Sequence, residues 1–376
     1  MKLRVGVIGT GFGAEVQIPA FLAHPRVEVV AIASGTPGRA REVAGRFEIP
    51  HAFDDYRAMV ATAELDLVSI TSPPDTHHPA ALAALARRRH VLCEKPMALN
   101  AAQAEEMLRE AERQGVTHVI DHELRFNPNR RKIKRLIEER FIGAPRHALI
   151  TVVGTGRADA TRPWTWWSDA RRGGGILGAQ GSHQIDLLRY FLGDVAAISG
   201  TTETYVKERP DPAASGRRAV TSDDFTSFSL RFASGAVGIV VNSAVGAHGV
   251  GPRTEIWGEE GTLILDQEER LWGARRGESL REITEPETLE APPGMNYSSL
   301  WGLSFIRLAA HVVNAILDEA PVAPTATFAD GLQVQRVLDT VRATAGRQAR
   351  LENAATRTSP ARKRTNGRTR SADPGR

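Results

Sequence analysis

"LRVGVIGTGFGA", residues 3–14, decides the fold. Residues 3–8 are a short apolar run of strand type, and the helical pattern 14–23 follows almost at once. Between them Gly9, Gly11 and Ala14 fall in the spacing G-x-G-x-x-A. Gly9 permits a tight turn, Gly11 lets a pyrophosphate approach the backbone, and Ala14 is small enough for close helix–strand packing. The helix that follows would present free N–H groups and a partial positive charge to phosphates. A lone glycine match can be an incidental turn. The strand–loop–helix context here selects a dinucleotide site.

The same rhythm continues outward from the loop. Apolar runs at 27–33, 65–70, 90–93 and 117–120 alternate with helical patterns at 39–47, 54–62, 77–88 and 101–114. Thr76 or Asp75 is a candidate cap for one helix and Asn100 for another. Strands alternating with helices predict βαβ units and a doubly wound parallel sheet, here a Rossmann domain over 1–125. Beyond it the runs at 147–154, 195–206, 224–232, 235–245, 253–257 and 261–266 are longer. Ala233-Ser234-Gly235 turns one hairpin. These predict an α+β domain over 126–350 with a large, open, mainly antiparallel sheet. Helices return at 300–318 and 328–345, the last opened by Thr327 or Asp330 and expected to pack back on the first domain. Residues 207–222 read as a surface loop.

Composition bounds the partners. At 376 residues the chain exceeds one ordinary core, and 41% hydrophobic with 24% charged residues is globular. The single Cys93 rules out an internal disulfide, and no metal site is expected, which suits a reducing cytoplasm. The N-terminus reads as a strand and not as a signal peptide, and no uninterrupted apolar run approaches a membrane span. The net charge of +4 is local: residues 357–376 hold seven Lys/Arg and one Asp. Residues 351–376 are expected to be a disordered basic tail. The rest of the chain is slightly acidic and offers no nucleic-acid footprint.

Two positions refine the site. The second strand ends in Ser34, followed by Thr36 and Arg39, with no carboxylate to bind a ribose 2′-hydroxyl. Two hydroxyls and a guanidinium suit a 2′-phosphate, so NADP is expected ahead of NAD. In "HVLCEKPMALN" an apolar strand ends at Glu94-Lys95-Pro96, which puts Lys95 where open α/β sheets bind ligands. Pro96 restricts Lys95 to an extended backbone.

Together, "GTGFGA", "PPDTHHPAALAAL", "HVLCEKPMAL", "LRFNP", "GSHQIDLL" and "TFADGLQVQRVLD" resemble the glucose–fructose oxidoreductase/inositol dehydrogenase/rhizopine-catabolism (Gfo/Idh/MocA) family over roughly residues 2–350. The resemblance implies a Rossmann domain followed by an open-sheet domain, and homodimers or homotetramers formed through that sheet. It implies that Lys95 is the catalytic lysine and His183 the active-site histidine. It also implies that Gly9, Gly11 and Phe12 hold phosphates and that Ser72, Pro73, His77 and Glu94 lie near the nicotinamide and its ribose. On the residues alone His183 is either a proton-handling group or a core histidine, and this context selects the former.

One departure matters. Relatives that oxidise polyols often carry Asp four residues before the histidine, and Ala179 stands there. Asp186, one turn later, is then either an orienting partner, counted with the substrate contacts, or a packing residue. Trp164, Trp166 and Trp167 form a sugar-stacking wall or part of the core, and Arg125, Asn127 and Arg162 are candidate polar contacts. Arg171 and Arg172 read as solvated charges.

Oxidising an alcohol requires a hydride acceptor and a proton acceptor. His183 suits the second role, and the Lys95 ammonium would stabilise developing alkoxide charge. The leading expectation is an NAD(P)-dependent oxidoreductase acting on a secondary alcohol or ketone of a sugar, cyclitol or similar polyhydroxy compound. The alternatives are an NAD-dependent glycosidase and a non-catalytic dinucleotide- or sugar-binding regulator.

Overall fold

The computed structural model describes residues 2–297 and 299–345. The expected tail therefore lies outside the described residues. Six strands, β1 (Leu3–Ile8), β2 (Val27–Ala33), β3 (His51–Phe53), β4 (Leu67–Ile70), β5 (His90–Cys93) and β6 (His118–Ile120), form a parallel sheet in the order β3-β2-β1-β4-β5-β6. β1 pairs with β2 on one side and β4 on the other, so the winding reverses there and a crevice opens at the carboxyl ends. β4 is buried at every residue because helices cover both faces of the sheet.

Those helices are α1 (Ile18–Leu22, entered through a π-turn at Gly13–Gln17), α2 (Arg39–Phe47), α3 (Tyr56–Thr62), α4 (His77–Leu85) and α5 (Ala101–Gln114). Asn100 caps α5 by accepting from Gln103 N at 3.0 Å. Thr76 does not cap α4. Its hydroxyl donates to Pro73 O at 2.8 Å and pairs with Ser72 Oγ instead. β3 was not foreseen, being three residues long with no buried residue.

α6 (Pro128–Glu138) leads to the second sheet. This helix hides in "LRFNP": Pro128 takes the first helical position and Asn127 caps it, accepting from Arg130 N at 3.1 Å. Asn127 is thus a cap and not a substrate contact. Next come β7 (Pro145–Val153), α7 (Ser182–Leu192), β8 (Val195–Glu203), β9 (Glu208–Pro210), β10 (Arg217–Ala219), β11 (Phe225–Phe232), β12 (Val237–Ser243), β13 (Gly251–Gly258), β14 (Gly261–Leu265), β15 (Leu271–Arg275) and β16 (Arg281–Glu282). The sheet order is β16-β15-β14-β13-β7-β12-β11-β8, antiparallel except where β7 meets β12. β11 alternates buried and accessible residues, as a sheet with one covered face requires. Leu188 of α7 packs with Phe232 and Val240 on that face, whereas Ile239 points away and is 45% exposed.

Two C-terminal helices complete the body. α8 (Leu300–Leu317) is apolar and long enough to cross a membrane by length and composition, with half its residues buried. Its Phe305, Leu308 and Val312 pack in the same cluster as Phe21 and Val5 of the first sheet. α9 (Phe328–Thr344) opens with a capping box formed by Thr327 and Asp330, as the sequence reading allowed. Phe328 and Leu332 pack with the first sheet's core, and Val337 and Leu338 with the second's. One helix therefore fixes the two sheets against each other.

Residues 207–222, read as a loop, contain the hairpin β9–β10. Trp164 holds it: its indole N–H donates to Ala219 O at 3.0 Å, and the Arg218 guanidinium stands 3.5 Å from its ring centroid.

Candidate active site

The crevice at the switch point is a cleft of about 970 Å³. Its phosphate end is the glycine loop. Gly9 sits at φ 114°, and a Cβ there would lie 2.5 Å from Thr71 Oγ1, so both backbone and space require glycine. A Cβ on Gly11 would meet nothing within 4 Å, which leaves room for a phosphate group against the chain. Phe12 lines the same end and leans on Tyr297, with ring centroids 6.1 Å apart. These residues fit a dinucleotide.

At the far end of this groove, Ser34 and Thr36 line the cleft, and Ser34 Oγ accepts from Thr36 N at 3.2 Å. Arg39 does not line it, because its guanidinium pairs with Glu42 one turn on. The expected phosphate clamp is therefore absent from its assigned place. The cleft is lined here instead by Asp54, Asp55 and Arg57, which follow β3.

The carboxyl ends of β4, β5 and β6 build the reacting end. Ser72, Pro73, His77, Glu94 and Lys95 all line the cleft. The two ring nitrogens of His77 lie 2.8 Å from Ser72 O and 2.9 Å from Pro96 O, so this histidine ties the two strand-end loops together. Lys95, joined to Pro96 by a cis bond, reaches to 3.5 Å from Ala179 O and 3.9 Å from Glu94 Oε2. Beneath it, the fully buried Gln17 donates to Asp121 at 2.8 Å and to Glu94 at 3.3 Å, and accepts from Ser69 at 2.5 Å. Burial, with Glu94 and Glu123 nearby, pushes the Asp121 carboxyl well above the usual range.

His183 is close to Lys95's surroundings but does not line the cleft. It is 1% exposed, and neither ring nitrogen has a hydrogen-bond partner. Its ring centroid lies 5.6 Å from that of His122 and 5.0 Å from that of Trp301. Burial, then the Lys95 charge, pulls its pKa well below the ordinary value, so the imidazole is neutral. His122 is pulled to about 4, mainly by burial.

The carboxylate facing this region is one that the sequence reading missed. Glu123 follows β6, lines the cleft and is 2% exposed. Its Oε2 stands 4.0 Å from His183 Nδ1 and has no hydrogen-bond partner. The available signal was its place two residues before Arg125 in "HELRFNP", at the carboxyl end of a strand.

Three expected substrate contacts lie elsewhere. Arg125 and Asp186 form a buried bidentate pair, at 2.8 and 2.6 Å, and neither lines the cleft. Arg125 also donates to Pro324 O at 3.2 Å and stands 3.4 Å from Asp330, which makes it a tie between α7 and the start of α9. Trp164 serves the β9–β10 hairpin. The aromatic wall is made by Trp166, Trp167 and Trp301, with Arg172 beside them, paired to Asp75 at 2.9 Å. Arg162 donates to Gly156 O, and Arg171 is a largely exposed partner of Asp169.

Comparison with known proteins agrees with this geometry. Residues 3–122 match the model of an oxidoreductase family with an NAD-binding Rossmann fold, and residues 130–264 match the GFO/IDH/MocA C-terminal domain. An uncharacterized oxidoreductase of Synechocystis sp. is 31% identical over 300 residues, covering 77% of this chain and 81% of its own. Levoglucosan dehydrogenase of Pseudarthrobacter phenanthrenivorans is 28% identical over 374 residues, 90% of this chain and 95% of its own. A levoglucosan dehydrogenase structure in complex with NADH and L-sorbose superposes with a TM-score of 0.83 at 27% identity, covering 92% of this chain and 98% of that one. Glycine loop, Lys95 cleft and paired domain matches lead to one conclusion: the chain belongs to the GFO/IDH/MocA family and is an oxidoreductase with an NAD-binding Rossmann fold, close to sugar and cyclitol dehydrogenases.

Proposed function

We propose that the chain oxidises a secondary alcohol of a sugar, cyclitol or related polyhydroxy compound, using NAD. The observation that carries this reading is Lys95, an ammonium reaching into the cleft that begins at the Gly9–Gly11 loop. A bound nicotinamide supplies the acceptor for the hydrogen and electron pair that leave the substrate carbon. Lys95 holds the substrate oxygen and stabilises charge as it develops there. Trp166, Trp167 and Trp301 give the ring an apolar surface to lie on, a common way of seating sugars.

NAD is favoured over the NADP expected from sequence. Arg39 is engaged with Glu42, and Asp54 and Asp55 line the cleft at this end, each with a guanidinium 3.7 Å away, Arg41 by Asp54 and Arg57 by Asp55. Two carboxylates suit a 2′-hydroxyl and disfavour a 2′-phosphate. The outer face of the eight-stranded sheet, with Ile239 open to solvent, supports the expectation of a homodimer or homotetramer. A buried free Cys93 suits the expected cytoplasmic setting.

The test is a screen of sugars, anhydrosugars and inositols with each cofactor, followed by absorbance of the reduced form. The reading expects turnover with at least one polyhydroxy compound and at least tenfold higher kcat/KM with NAD than with NADP. Tight cofactor binding with no oxidation across the panel would refute the substrate class, and a preference for NADP would refute the cofactor choice.

A further inference from the structure

We propose that a second pocket, meeting the cleft at Gln180 and Trp301, holds the neighbouring ring of a two-ring substrate, so that the ring presented to Lys95 belongs to a neutral disaccharide. The inference rests on the oxidoreductase reading above and narrows its substrate class.

The pocket has a volume of about 380 Å³, the scale of one small ligand, and Gln180 and Trp301 line both it and the cleft. Its floor is the second sheet. Ile150 and Val152 of β7 lie opposite Thr254 and Pro252 of β13, and residues two apart along a strand share a face. Its roof is α7 and the π-turn Leu177–Gly181 that leads into it. Gln180, Gln184 and Leu187 follow the helical spacing that puts side chains on one side. Another side of the same helix closes on the sheet, where Leu188 packs with Phe232 and Val240. The stripe through Gln184 stands instead over open space, for about 10 Å of helix between Gln180 and Leu187.

A helix stripe that faces a sheet to build core is apolar. This one carries two amides. Gln184 is 4% exposed, its Oε1 is enclosed without a partner, and its amide makes no hydrogen bond among the described residues. The side chains of Gln180 and Thr254, which also line the pocket, likewise have no hydrogen-bond partner among the described residues. Buried polar groups are ordinarily satisfied, so three such side chains around one space call for a ligand that satisfies them. Ile150, Val152 and Leu187 give the same space an apolar side. A sugar ring matches both, having hydroxyls that donate and accept and a C–H face that does neither.

The charges select a neutral ring. Arg130 lines the pocket, but its two terminal nitrogens are held by Glu269 at 2.6 and 3.1 Å. Glu268, also in the lining, accepts from Arg270 at 3.3 Å. Each charge in the wall therefore has its counter-charge beside it, and no guanidinium is left to take a carboxylate or phosphate. Because Gln180 and Trp301 belong to both spaces, a ring lodged in the pocket adjoins one lying on Trp301 in the cleft.

The test titrates the full chain, loaded with NADH, by calorimetry. The probes are glucose and galactose, and the disaccharides maltose, cellobiose, trehalose, lactose and melibiose. At least one disaccharide should bind about tenfold or more tighter than its own monosaccharides, with kcat/KM for NAD reduction rising by a similar factor. No disaccharide binding more tightly than its monosaccharides overturns the proposal. Val152→Phe fills the pocket from its floor and should cut that advantage to within about twofold. Gln184→Leu keeps the side chain's size, removes its amide, and should reduce the advantage about fivefold. If Val152→Phe does not fold, Gln184→Leu decides alone, and an advantage kept in the variants that fold overturns the proposal. A disaccharide advantage that the variants lose, in a protein that oxidises nothing in the panel, refutes the oxidoreductase reading and leaves the pocket assigned. Monosaccharide oxidation with no disaccharide advantage does the reverse.

Discussion

Replacing Arg125 with alanine removes the guanidinium that links Asp186 on α7 to the start of α9. The Arg125 side chain is 8% exposed and that of Asp186 1%, and the two share hydrogen bonds of 2.8 and 2.6 Å. Each charge-assisted bond contributes about 1.5–3 kcal/mol, and stranding one member of a buried pair costs about 3–5 kcal/mol. Asp330 is affected less, since Arg189 remains 3.3 Å from it. Arg125→Ala should therefore lose about 3–5 kcal/mol in urea unfolding, read as a lower midpoint at unchanged slope. The double variant Arg125→Met/Asp186→Leu removes both charges at similar volume and should recover most of that loss. If Arg125→Ala keeps wild-type stability and raises KM instead, the pair belongs to the substrate site and the structural assignment is wrong. A double variant no better than the single would show that the loss is not the stranded charge.

The glycine loop yields a contrast. Gly11→Val should fold with wild-type stability, because its Cβ meets no protein atom within 4 Å, yet lose cofactor binding by fluorescence titration. Retained binding would place the phosphates elsewhere. Trp164→Ala should cost about 3–5 kcal/mol of stability and expose the β9–β10 hairpin to protease, while KM stays within about twofold. Trp166→Ala should do the reverse, raising KM with stability nearly unchanged. For pH, His122 titrates near 4 in the fold against about 6.5 unfolded, and His183 also lies well below its ordinary value. A depressed folded pKa gives stability that is complete above pH 6.5 and is lost as pH falls toward 4, about 3 kcal/mol from His122 alone. The raised Glu123 and Asp121 carboxyls gain stability over the same range as pH falls, so the histidine contribution is read as a difference. Wild type should lose more stability than His122→Phe between pH 7.5 and 5, and equal pH dependence in the two would contradict the burial of that ring.

The first sheet was legible because its information is local. Each apolar run, each loop glycine and the Glu94-Lys95-Pro96 turn can be read within a few residues. β3 escaped because three half-exposed residues carry no pattern, and α6 because Pro128 resembles a break when it is a first helical residue. Errors in the site share another cause. Arg125 and Asp186 are 61 positions apart, and only the folded chain shows that they satisfy each other. Trp164 and Trp166 are two residues apart, yet one faces a hairpin and the other the cleft. Arg39 was assigned to a phosphate without regard to Glu42, three residues along the same helix. Glu123 went unnoticed for a related reason: a carboxylate in sequence is an ordinary surface residue, and its burial against Lys95 and His183 is a property of the assembled core.

In the proposed reaction the Lys95 ammonium acts on substrate held over a nicotinamide in the same cleft. Lys95→Met tests it most directly, by single-turnover measurement of NAD reduction beside a titration with NADH. Lys95→Met should keep NADH affinity within about threefold of wild type and lose at least a thousandfold in the reduction step, about 4 kcal/mol of transition-state stabilisation. Reduction at more than a tenth of the wild-type rate would contradict it.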